Sequence, residues 1–292
     1  MRLGAVVVLQ CAWPAGDKTV HALLSGTRSP DRVVVVAQAP ETGSADALRA
    51  LFPYFEVVEA TAGTGWAAAV NLGSERLPAR GVDALLLLTA DCILSLGALA
   101  ALEERLEEEP GVGVVGPLLV PATAPLEVLS AGGVLDPRSW NPVHHREPGL
   151  VEEWEGARPE PRDWLDGACL LVRADALREV GPFDEGSLHS FADVDHHLRL
   201  RARGWRVECV PAAVASREPG PIGAEGRVED RLRFLTRHAP RPVLARELAR
   251  QARETARDLG RGDGEQAAER ARGTARFLSR RWGPLSGGGP RD

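Results

Sequence analysis

Lysine is nearly missing from this chain: Lys18 is the only one, and all other positive side chains are arginines. Aromatic residues are sparse at 5%, with a single tyrosine, and there is one methionine. Acidic residues outnumber basic ones 41 to 35, giving a formal charge of −6. That balance excludes a general nucleic-acid binder, which needs a basic surface for phosphates. The four cysteines, Cys11, Cys92, Cys169 and Cys209, lie far apart and show no zinc spacing. They read as buried free thiols in a reducing cytoplasm. Long hydrophobic runs are lacking too. The first apolar run ends by Leu9, and Ala84–Leu88 is short against the roughly 20 residues that cross a bilayer. Neither a spanning segment nor a signal peptide is expected, and the chain reads as a soluble, cytoplasmic protein.

What is present is an ordinary globular composition, 44% hydrophobic and 26% charged over 292 residues, enough for one large α/β domain or two small ones. Short β-rich runs at Leu3–Leu9, Arg32–Ala37, Glu56–Ala60, Asp83–Thr89 and Val112–Leu119 alternate with helical patterns. This alternation predicts βαβ units: a Rossmann-like, mostly parallel central sheet flanked by helices. Between Pro121 and Arg162 the alternation gives way to Pro, Gly, Trp and His, with one strand expected near Glu127–Leu135. Long irregular stretches in compact domains are usually functional or disordered, and Trp140 and Trp154 favour a binding loop. Residues 164–205 then read as a strand, a helix, a Gly-Pro-Phe-Asp-Glu turn and a second helix, followed by a last strand at Arg206–Ala215. From Arg241 the chain is Arg-, Ala-, Leu- and Glu-rich. The expected division is a domain over 1–240, with halves 1–120 and 121–240, and a helical Arg-rich tail over 241–292.

Ligands of open α/β sheets collect beyond the carboxyl ends of the strands, and three features fall there. Gly65 opens a helix of small residues running to Gly73, which suits either a close ligand or tight helix–sheet packing. Asp91 follows the leucine-rich strand, placed to bind a metal or to cap the next helix. Asp193 and Asp195 fall in the first turn of the last of these helices, with Ser190 at a capping-box spacing from Asp193. The doublets His144–His145 and His196–His197 read as packing or surface residues, because neighbours one apart on a helix face different ways. Trp140, Trp154 and Trp164 suit either sugar stacking or loop filling.

In this order, over residues 3–240, these motifs resemble the family-2 glycosyltransferases with a GT-A fold, especially bacterial rhamnosyltransferase-like members. Gly65, Trp66, Asn71 and Gly73 resemble the family's helix beside the nucleotide. Leu86 to Asp91 resembles its strand ending in an acidic metal motif, and Trp164 to Arg173 its acceptor-side strand. Gly181 to Glu185 through Asp193 and Asp195 resembles its GGFDE…EDVD segment. The resemblance implies an inverting transfer of a sugar from a nucleotide-diphosphate donor to an acceptor hydroxyl. The pathway would be polysaccharide, cell-envelope or glycosylated-metabolite synthesis, and the acceptor a carbohydrate, a lipid-linked group or a small molecule. Asp193 is then the catalytic base. Gln38, Gly65, Trp66, Asn71, Asp91 and Arg217 attend the donor, and Trp164, Asp166, Gly167 and His189 the acceptor. Mg²⁺ or Mn²⁺ would be held through Asp91. Four positions depart from the family pattern: Gln38 follows Ala37 where an acid commonly reads the base, Thr89 stands where an acid or asparagine is common, Ala192 replaces a glutamate, and Arg217 stands near a usual histidine. These departures leave a metal-independent site, with Arg217 supplying charge at the diphosphate, as a second expectation. They also leave a catalytically impaired binding or scaffold subunit as the alternative function. The tail is expected to pack on the domain or on a second subunit, or to lie on the inner face of the membrane.

Overall fold

The computed structural model describes residues 1–9, 17–38, 44–61, 63–77, 81–144, 149–188, 190–217 and 224–282. The chain begins β1 (Leu3–Leu9), α1 (Asp17–Ser25), β2 (Arg32–Ala37), α2 (Ser44–Leu51), β3 (Glu56–Glu59), α3 (Trp66–Arg76) and β4 (Ala84–Thr89). β5 (Cys92–Leu94), α4 (Ala98–Glu108) and β6 (Val112–Pro121) follow. β1 pairs in parallel with β2 and β4, and β2 with β3, as the alternating pattern predicts. β1 and β4 are buried throughout, because side chains alternate between two apolar layers. Val7, Leu86, Leu88, Leu102 and Leu106 fill one layer. Val6, Val8, Leu87 and Val70 fill the other. The glycine-containing helix answers to packing: a Cβ on Gly73 would lie 2.5 Å from Val6 Cγ1, so α3 sits directly on β1.

The region after β6 holds a small hairpin, β7 (Gly133–Leu135) with β8 (Pro142–His144), then a 3₁₀ turn at Val151–Trp154 and β9 (Glu160–Pro161). The strand expected near Glu127–Leu135 is cut short, with only isolated bridges at Glu127 and Ser130. β10 (Cys169–Arg173), α5 (Ala174–Val180), α6 (Ala192–Ala202) and β11 (Arg206–Arg217) complete this part. β10 runs antiparallel between β4 and β6, while β11 runs parallel to β6 and antiparallel to β5. The resulting order is β3-β2-β1-β4-β10-β6-β11-β5, with β9 on β11.

Helices α7 (Ala224–His238), α8 (Arg241–Gly260) and α9 (Gly264–Trp282) belong to a second compact unit. Val228, Leu232 and Phe277 are buried together there, with Leu244 and Leu248 packed against them. α7 thus groups with α8 and α9 and shares their apolar contacts. Among the described residues no helix is long and apolar enough to cross a membrane. Cys92, Cys169 and Cys209 are free and buried; Cys11 lies outside the described residues.

Candidate active site

The sheet order brings three distant segments to one edge. β10 enters antiparallel to β4, with Cys169 opposite Leu88, so the residues just before β10 lie beside those just after β4. The end of β11 reaches the same edge, with Arg217 opposite Cys92. There the Arg217 guanidinium spans two carboxylates: Nε donates to Asp91 Oδ2 at 3.1 Å and Nη1 to Asp166 Oδ1 at 2.7 Å. Burial works against the Arg217 charge, but Asp166 and Asp91 outweigh it and raise its pKa. Asp166 Oδ1 also accepts the Ala168 N–H at 2.9 Å, which fixes the loop before β10. Thr89 ties β4 to that loop through its N–H on the Ala168 carbonyl at 2.9 Å. Asp91 Oδ1 is buried and accepts no hydrogen bond among the described residues.

Asp193 lies one residue into α6. Its Oδ1 accepts the Val194 N–H at 2.8 Å and its Oδ2 the Gly167 N–H at 2.9 Å. Burial, with the Asp166 charge second, pushes its pKa up to about 6 against the pull of these backbone donors. Gly167 fits closely here: a Cβ would meet Trp66 Cζ2 at 3.1 Å and Asp193 Oδ2 at 3.2 Å, so any larger residue would push on the ring or the carboxylate. Trp66 opens α3 after the extended Gly65. It rests edge-on against Phe183, with ring centroids 5.1 Å apart. Gln38 donates from Nε2 to the Thr64 carbonyl at 2.6 Å and so holds the turn that precedes Gly65. Asp91, Asp166, Gly167, Asp193, Trp66 and Arg217 thus form one linked constellation, with Gln38 bracing the turn before it.

Other predicted residues lie differently. Asn71 is buried and committed to structure: Nδ2 donates to the Phe183 carbonyl and to Glu185 Oε1, both at 2.9 Å, and Oδ1 accepts the Phe183 N–H at 3.0 Å. It clamps α3 to the Gly181–Glu185 turn and has little hydrogen-bonding capacity left for a nucleotide. Trp164 precedes β10 instead of lying inside a strand; its Nε1 donates to the Val134 carbonyl at 3.2 Å, and its ring packs near His144. Trp154 is 3% exposed and fills the core. His189 and His145 lie outside the described residues. The capping box does not form: among the described residues Ser190 Oγ is buried without a partner. His196 and His197 are wholly buried. Burial depresses both pKa values, that of His196 to about 3, so both stay neutral. His196 stacks on Phe183 at 4.0 Å.

The chain also holds features that its pattern did not announce. Phe191 adopts φ +66°, a left-handed conformation rare for a bulky residue, two residues before Asp193. Within the helical unit its ring stacks on Phe234, and Asp230 accepts the Ser190 N–H at 2.9 Å. A left-handed phenylalanine has no signature in composition or periodicity. The pairing of Asp166 with Arg217 spans 51 residues and depends on the antiparallel insertion of β10.

This fold, with acids gathered at the carboxyl edge of its sheet, defines a GT-A glycosyltransferase. Residues 6–257 match the model of the family described as Glycosyltransferase like family 2, and the chain belongs to that family. An N-acetylglucosaminyl-diphospho-decaprenol L-rhamnosyltransferase of Mycobacterium tuberculosis is 28% identical over 233 residues, covering 72% of this chain and 74% of its own. Among solved structures, GalNAc-T7 with UDP, GalNAc and Mn²⁺ aligns with a TM-score of 0.62 at 15% identity, over 81% of this chain and 48% of its own. The mannosyltransferase PcManGT from Pyrobaculum calidifontis, in complex with GDP-Man and Mn²⁺, aligns with a TM-score of 0.57 at 16% identity, over 95% and 87%. At such identities these structures speak for the fold alone.

Proposed function

We propose that this glycosyltransferase moves a sugar from a nucleotide-diphosphate donor to an acceptor hydroxyl by direct displacement with inversion. The observation that carries the reading is Asp193: a carboxylate fixed by two backbone N–H groups, its pKa raised to about 6, with Asp166 and Trp66 at the adjoining Gly167. A base with that pKa is largely ionised at neutral pH yet basic enough to take the acceptor's proton as its oxygen attacks the anomeric carbon. Among the described residues it is the only carboxylate at the site that Arg217 does not neutralise. One base and no second carboxylate nucleophile favour a single displacement. The donor would lie against Gly65, Trp66 and Asp91, and the acceptor against Trp164 and Gly167. The mycobacterial relative's name makes a lipid-linked acceptor in cell-envelope synthesis the preferred class, ahead of a free carbohydrate or small molecule. The protein would then work in the cytoplasm, at the inner face of the membrane, with the helical tail as a membrane or subunit contact.

Mg²⁺ or Mn²⁺ is the cofactor that the fold family implies. The residues present do not make a protein-held site for it. Asp91 offers one unpartnered oxygen, its other oxygen and Asp166 are already paired to Arg217, and no three potential ligands converge among the described residues. No step here is routed through an ion. The scaffold alternative has no observation in its favour.

A thermal-shift screen over nucleotide sugars and nucleoside diphosphates tests the reading, since a ligand of the native state raises the midpoint. A donor that stabilises the protein and is consumed with an acceptor supports it. A protein indifferent to every donor would sink it.

A further inference from the structure

We propose that Arg217 is the resident cation of the donor site: a tethered guanidinium, in place of a divalent ion, that meets the donor's diphosphate. This rests on the nucleotide-diphosphate reading above and says what neutralises that group. Arg217 occupies the place between Asp91 and Asp166 where an ion bridging the two acids would have to sit, bonding one at 3.1 Å and the other at 2.7 Å. Two carboxylates within reach of one ion are what a hard divalent cation needs from a protein that leaves its remaining ligands to phosphates and water. Here both are charge-paired before any ligand arrives.

The guanidinium has donors to spare. Of its five N–H groups, two are used by these acids, and the side chain is 19% exposed. Its other donors have no partner among the described residues. A planar fork of that kind suits bidentate contact with phosphate oxygens. Its position is also rigid: Arg217 ends β11, in register with Cys92 of β5 and Pro121 of β6. The two acids hold the guanidinium at the strand edge, so no flexible stem has to be ordered when the ligand binds. The charge is secure as well, because the acids raise the Arg217 pKa further above its already high ordinary value. Removing the guanidinium would leave two adjacent carboxylates unpaired, which is an attractive site for a divalent ion. The fold thus places an arginine on the two acids that a divalent ion would need.

Calorimetry of UDP, GDP and dTDP binding to the full chain, in EDTA and in Mn²⁺, tests this without depending on turnover. For the wild type, at least one nucleoside diphosphate is expected to bind in EDTA, with less than a threefold change on adding Mn²⁺. Arg217→Met is expected to lose at least tenfold in EDTA, to regain most of it in Mn²⁺, and to bind Mn²⁺ alone more tightly than the wild type does. Wild-type binding that disappears in EDTA and returns with Mn²⁺, beside an Arg217→Met protein that behaves identically, would overturn the proposal. Asp91→Asn serves if Arg217→Met does not fold. With the guanidinium as the cation, this variant still binds the diphosphate in EDTA, weakened by less than tenfold through the lost Asp91 tether, and gains less than threefold from Mn²⁺, whereas a metal held on Asp91 predicts wild-type binding only in Mn²⁺ and a tenfold or greater loss there in the variant. If none of the three diphosphates binds any of these proteins, with or without Mn²⁺, the proposal fails together with the donor reading. Binding that needs Mn²⁺ overturns only the proposal.

Discussion

Asp193 and Gly167 share one hydrogen bond, and each constrains the other. Folding lifts the Asp193 pKa from its ordinary 3.8 to about 6, so the folded state favours the protonated carboxyl. Its stabilising contribution is full below about pH 4 and is lost as pH rises through 6. At neutral pH the ionised group therefore disfavours the fold, by about 3 kcal/mol. Asp193→Asn relieves that strain but surrenders one of the two N–H contacts, worth about 1 kcal/mol. The variant is expected to melt no lower than the wild type at pH 7.5 while transferring sugar about 10² to 10⁴-fold more slowly. Paired melting curves and initial rates check this; a destabilised but active variant contradicts the role. In the wild type, kcat/KM should rise with pH through about 6, because the base must be ionised. Gly167→Ala introduces a methyl group against Trp66 and the Asp193 carboxylate. It is expected to cost about 1–3 kcal/mol of stability and to shift the acidic limb of the pH profile, as the displaced carboxylate loses its Gly167 donor.

At the scale of elements, the base stands on a helix clamped to its neighbours by buried polar groups. Arg199 of α6 pairs with Asp195 at 2.8 Å and donates to the Val180 and Pro182 carbonyls. His196 stacks on Phe183, and Asn71 of α3 grips both backbone groups of that same Phe183. Asn71→Ala should therefore leave a buried N–H and carbonyl without partners, at about 1–3 kcal/mol each before relaxation. A drop of this size in urea-denaturation stability checks it, while an unchanged midpoint with weakened nucleotide binding would return Asn71 to the donor site. The alternating runs of residues 3–120 made the strands and helices of that half legible, because period and length alone separate them. Asp91 and Asp193 were legible as acids after a strand and at a helix start. What the chain order concealed is neighbourhood: β10 enters antiparallel between β4 and β6, and only that insertion sets Asp166 beside Asp91 and Arg217. The Asn71 clamp was hidden for a related reason, since an asparagine in a small-residue helix looks the same whether its partner is a ligand or a turn 112 residues away. In α6 the buried face includes Asp195, His196 and His197, so apolar periodicity could not mark it.

At the scale of the whole molecule, charge is divided unevenly along the chain. Residues 241–282 carry eleven arginines against six acids, in a protein whose formal charge is −6. The apolar stripe of this segment is largely occupied: Leu244, Leu248 and Phe277 pack with Val228 and Leu232 of α7, while Leu259 and Leu278 stay exposed. An in-plane helix needs a continuous apolar face for the acyl boundary, which two exposed leucines do not make, so contact with a membrane has to come mainly from the arginines. Several of these are themselves paired, Arg250 with Glu247 and Glu254, and Arg270 with Glu254 and Asp258, which lowers the charge available. Flotation of the full chain should therefore show no binding to neutral vesicles and weak binding to vesicles with about a third anionic lipid. The latter should disappear by about 0.5 M salt as the screening length falls well below its ~10 Å value at 0.1 M. Binding to neutral vesicles that survives high salt would mean that the stripe opens and inserts, and that the packing of α7 against α8 and α9 is the closed half of an equilibrium.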